Sequence, residues 1–93
     1  MIARVREIDP EKVAHAAKTQ IKKAANRGIQ QTHFTFPQIA SWFRMSTYDL
    51  EGLVHSTRIL DYHRDSKGVR WISAEQLLTF MRYLQEMGRE LQG

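Results

Sequence analysis

Apolar residues recur at helical spacing early in the chain, with Val13, Ala17, Ile21, Ala24 and Ala25 on one stripe and Lys12, Lys18, Lys22, Lys23 and Arg27 crowding the remaining surface. Asp9 stands where a carboxylate accepts from the free N–H groups of a helix start, and Pro10 suits the first helical position. Gly28 suits a left-handed cap, so the pattern predicts a helix over residues 10–27. Its stripe is built from small side chains, so it packs closely and buries little. His33-Phe34-Thr35-Phe36 reads as a short strand, and Pro37 opens a compact stretch ending at Phe43. Ser46 or Thr47 caps a second short helix, apolar at Leu50, Leu53 and Val54 and ending near Thr57.

Two alternating runs, Ile59 to His63 and Val69 to Ile72, flank the turn-forming Arg64-Asp65-Ser66-Lys67-Gly68 and predict a β-hairpin over residues 59–72. Ser73-Ala74-Glu75-Gln76 has the form of a capping box, with Gln76 reaching back to the Ser73 backbone. It opens a last helix over 74–91, whose broad stripe is Leu77, Leu78, Phe80, Met81, Leu84, Met87 and Leu91. The expected fold is therefore mainly α with a small β-hairpin.

Length narrows this picture to one domain. For 93 residues the area scaling laws give roughly 5,600 Å² of folded surface and about 65% burial, enough for one modest core. Cysteine is absent, so disulfides, thiolate metal sites and cysteine nucleophiles are excluded. The start, Met1 to Glu7, carries charges where a signal peptide needs its apolar run, and no apolar run approaches a membrane span. A cytoplasmic protein is expected. The net charge of +4 and a pI near 9.8 suggest nucleic acid as a partner.

One stretch carries more specific information. If a two-helix unit is numbered from Phe36, Ala40 falls at the crossing position, where the helices need a small residue. Ile39, Phe43, Met45, Leu50 and Leu53 fall where apolar side chains face the core. With Met45-Ser46-Thr47 as the turn, Gly68-Val69-Arg70-Trp71-Ile72 as the returning hairpin arm and Ser73 to Leu78 as the next helix start, residues 34–83 resemble the winged helix-turn-helix of excisionase and MerR-like DNA-binding proteins. Residues 1–33 lie outside the resemblance and add an N-terminal helix. The ninth place of the unit, usually glycine because the turn favours positive φ, is Arg44 here.

The resemblance implies a non-catalytic, sequence-specific protein that binds double-stranded DNA, reading the major groove with helix 47–57. Ser46, Thr47, Tyr48 and His55 would contact bases or phosphates, with Arg44 and Arg58 anchoring the backbone at either end. Arg64, Lys67 and Arg70 of the wing would grip phosphates, joined by Lys18, Lys22 and Lys23. A role in transcription regulation, recombination or replication follows, in a bacterial, phage or plasmid setting. A homodimer is compatible with symmetric half-sites, with the last helix or the alanine-rich first helix as its face, and the last helix also suits a protein partner.

Charge is distributed unevenly over this scheme. Residues 1–33 carry a net +4 and residues 58–72 a net +2, whereas residues 34–57 come to −1 because Asp49 and Glu51 outweigh Arg44. These two acids motivate an alternative, a protein–protein adaptor on a winged-helix scaffold without DNA binding; an RNA-binding module is a third reading. His15, His33, His55 and His63 have no ligand spacing, so neither a metal nor another cofactor is expected. No phosphate-binding glycine loop or nucleophile–base pair suggests an enzyme.

Overall fold

The structure, a computed structural model, describes residues 7–92. Helix α1 (Pro10–Asn26) starts where Asp9 Oδ1 accepts from the backbone N–H groups of Glu11 and Lys12. It closes with Gly28 at φ +78°, where the N–H of Gly28 donates to Ala25 O and that of Ile29 to Ala24 O. This is the paired-bond cap that glycine favours. Its buried side chains are Val13, Ala17 and Ala24; Ile21 is half-buried, and Ala25, expected on the same stripe, is exposed.

Strand β1 (His33–Thr35) leads directly into α2 (Phe36–Phe43). Helix α2 begins one residue before Pro37 because the Thr35 hydroxyl accepts from the N–H of Gln38 and caps it. After a tight turn, α3 (Thr47–Thr57) starts with Ser46 as its cap, accepting from the N–H of Asp49. The hairpin arms are β2 (His63–Arg64) and β3 (Arg70–Ser73), and α4 (Ala74–Gln92) follows without a break.

The sheet has three antiparallel strands in the order β1-β3-β2, the short strand expected at residues 33–36 joining the hairpin. His33 pairs with Ser73 and Phe34 with Ile72, so the connector strand closes the free edge of β3. The other arm is shorter than the alternation suggested. Residues 59–62 are not strand, because Leu60 turns into the core and Tyr62 packs edge-on against Phe36 at 5.3 Å.

The capping box is half made. Ser73 Oγ accepts from the N–H of Gln76, but the Gln76 carboxamide accepts from the N–H of Asp61 at 2.7 Å and does not return to Ser73. The start of α4 is thereby tied to the segment entering β2.

The core is one continuous cluster that draws on every helix and on the inner face of the sheet. Phe34 and Ile72 contribute from the sheet, Val13 and Ala17 from α1, Ile39 and Phe43 from α2, Leu50 and Leu53 from α3, and Leu77 and Phe80 from α4. Ala40 is buried in this core, and Met45 is half-buried and packed against it. No helix among the described residues is long and apolar enough to cross a membrane.

Candidate nucleic-acid interface

Helix α3 buries Leu50, Leu53 and Val54 and turns the rest of its surface outward. Its N-terminal turn presents Ser46, the half-buried Thr47 and Tyr48, whose side chain is 81% exposed; His55 and Ser56 continue the same surface. A shallow groove between turns of the helix is lined by Tyr48, Asp49, Glu51, Gly52 and His55. The C-terminal end is held from within by Thr57, whose Oγ1 donates to Leu53 O and accepts from the N–H of Ile59.

Arginine stands at each end of α3. Arg44 occupies the turn before it at φ +58°, and Arg58 terminates it at φ +57°. Both are exposed. The Arg44 cap repeats the pattern that glycine makes in α1: Arg44 N–H donates to Ser41 O and Met45 N–H to Ala40 O. Left-handed backbone costs an L-residue with a Cβ roughly 1–2 kcal/mol. Arg44 therefore supports the turn geometry that glycine would give without strain.

The structure changes the roles of two predicted charges. Arg70 is half-buried on β3, with its guanidinium 4.3 Å from the centre of the Phe36 ring and paired to Glu51 of α3 at 2.5 Å. It is thus a tie between the sheet and α3, in place of the free phosphate anchor expected of it. The same pair places a positive charge against Glu51, which still lines the groove beside Tyr48. The −1 counted for residues 34–57 therefore overstates the repulsion this surface would exert on a polyanion.

The tip of the hairpin is organised by Asp65, whose place in the turn-forming run gives no sign of its long-reach bond to Trp71. Its Oδ1 accepts from the N–H groups of Lys67 and Val69, and its Oδ2 from the indole N–H of Trp71 at 2.9 Å. The Trp71 bond lowers the Asp65 carboxyl from its ordinary value; desolvation opposes it, and the Val69 and Lys67 N–H groups add to the lowering. Gly68, at φ +82°, donates to Asp65 O and completes the turn. Arg64 and Lys67 are left exposed at this braced tip, as the hairpin reading required.

The lysines of α1 are placed differently. Lys18, Lys22 and Lys23 are exposed, but α1 packs chiefly on α4 and α2. The cation brought to the turn is Lys12, which shares with Glu7, Asp9, Trp42 and Arg44 a groove of about 400 Å³. Lys23 lies eleven residues further along the helix, roughly 16 Å of axial rise away. A helical stripe in the sequence shows which face is polar and leaves open which end meets the turn.

No protein-family model, curated protein or solved structure matches this chain.

Proposed function

We propose that this chain is a non-catalytic, sequence-specific double-stranded DNA-binding protein built as a winged helix-turn-helix, with α2, the turn and α3 as the reading unit and β2–β3 as the wing. The observation that carries this reading is the outward face of α3, where an almost fully exposed tyrosine leads a helix bracketed by two exposed, left-handed arginines. In this reading Ser46, Thr47, Tyr48 and His55 meet base edges or phosphates from within the major groove. Arg44 and Arg58 hold the backbone on either side, and Arg64 and Lys67 extend from the wing tip. Lys12 joins Arg44 at the turn, while Lys18, Lys22 and Lys23 add longer-range attraction. The proposed setting is cytoplasmic, in transcription regulation or in recombination or replication; Leu77, Phe80, Met81 and Leu84 of α4 are spent on the core, so a homodimer or a protein partner would have to use its outer face around Tyr83.

Fluorescence anisotropy on duplex DNA across a salt series tests the proposal. Four phosphate contacts, from Arg44, Arg58, Arg64 and Lys67, give a log–log slope of about −3.6. Changing Arg64→Glu and Lys67→Glu together should abolish binding at moderate salt. Absence of binding to any duplex at low salt, or binding indifferent to salt, overturns the reading. An exposed aromatic such as Tyr48 also suits a protein interface. Retained partner binding by the doubly reversed variant would favour the adaptor.

A further inference from the structure

Residues that pair directly across antiparallel strands share a face of the sheet, as do residues two apart along one strand. His33 pairs with Ser73 and His63 with Trp71, so His33, Ser73, Trp71 and His63 all stand on the face opposite the buried Phe34 and Ile72. The two histidines come from the edge strands, yet their rings meet over the middle strand with centroids 4.8 Å apart and planes nearly perpendicular. They lie in a groove of about 460 Å³ that also includes Gln30, Gln31, Thr32, Asp65 and Trp71.

We propose that His33 and His63 form a two-imidazole binding site for a borderline divalent transition-metal ion such as Zn²⁺, Ni²⁺ or Cu²⁺. Histidine nitrogen binds such ions at about 2.0–2.1 Å, so two imidazoles on one ion at 90–109° have centroids roughly 4.5–5.2 Å apart. The observed separation falls within that interval before any ion is present. Thr32 Oγ1 lies 2.8 Å from His33 Nδ1, which fixes the ring through one nitrogen and leaves Nε2 for a ligand. His63 is exposed, so its ring turns without disturbing the core.

Imidazole donors select Zn²⁺, Ni²⁺ and Cu²⁺ over Mg²⁺ and Ca²⁺. The described residues contain no group of three or more metal-ligating side chains, so water completes the coordination and the ion exchanges readily. Asp65 is engaged by Trp71, Lys67 and Val69 and adds negative charge beside the site without being a ligand. The sequence alone hides this pair, because thirty residues separate the two histidines. A bound ion links β1 to β2 across β3 and stiffens the root of the hairpin.

Trp71 is a built-in reporter, since Ni²⁺ and Cu²⁺ quench a nearby indole. Titrating nickel chloride into the full chain carrying Trp42→Phe should give saturable quenching of Trp71, reversed by chelator. His33→Asn and His63→Asn should each weaken it at least tenfold, whereas His15→Asn and His55→Asn should leave it unchanged. Zinc chloride should raise the unfolding temperature of the parent chain and of neither site variant, with circular dichroism verifying that all are folded. Linear quenching without saturation, or saturable quenching preserved in both site variants, overturns the proposal. The result is independent of whether the chain binds DNA.

Discussion

Arg44 and Gly28 close their helices with the same pair of hydrogen bonds, and only one of them is free of steric strain. Replacing Arg44 with glycine relieves roughly 1–2 kcal/mol of left-handed strain but adds about 0.5–1 kcal/mol of unfolded-state entropy. The expected outcome is a net gain in stability of up to about 1.5 kcal/mol, read from the urea midpoint at unchanged m-value. Under the DNA-binding proposal the same substitution removes one phosphate contact and flattens the salt slope by about 0.9. Higher stability with weaker binding would mark Arg44 as retained for its charge; lower stability would show that its side chain supports the turn by other contacts. The sequence located this position, since counting from Phe36 puts Arg44 where positive φ is needed. It could not reveal Arg58 as the second such residue, because nothing in the local pattern distinguishes that helix end from an ordinary one.

At the scale of elements, Asp65 braces the hairpin by accepting three hydrogen bonds at its tip, beside a ladder of two residue pairs. Because its folded-state carboxyl titrates below the ordinary value, its contribution is complete above the ordinary carboxylate range and is lost as pH falls through the lowered value. Trp71 emission in a Trp42→Phe background should therefore change as the solution is acidified through that window. Asp65→Asn, whose amide nitrogen cannot accept from the indole, should already show the altered emission at neutral pH and little further change on acidification. Identical acid profiles for the two proteins would remove Asp65 from this role. Helix ends were legible in the sequence because capping is local: Asp9, Ser46 and Ser73 each bond a backbone N–H within three residues. Gln76 departs from the local pattern for the opposite reason. Its partner, Asp61, lies fifteen residues upstream and becomes adjacent only when the hairpin folds onto α4.

The whole molecule measures 43 × 27 × 18 Å and exposes 6,616 Å², more than the roughly 5,600 Å² expected for its mass. A slab this thin holds one layer of core, and each large side chain in it contacts several elements at once. Phe34→Ala should cost about 3–5 kcal/mol, a large part of a typical total of 5–15 kcal/mol, and should lower the thermal transition as a single cooperative step. Two separate transitions would contradict a single continuous core. The helices, the caps at Asp9, Ser46 and Ser73, and most of the buried apolar positions were legible in the sequence, because helical period and capping operate over a few residues. Only the folded chain reveals the pairing of β1 with β3, the Arg70–Glu51 tie, the Lys12–Arg44 groove and the meeting of His33 with His63. Each of these depends on which faces burial brings together, and side chains distant in sequence acquire partners only after the core has formed.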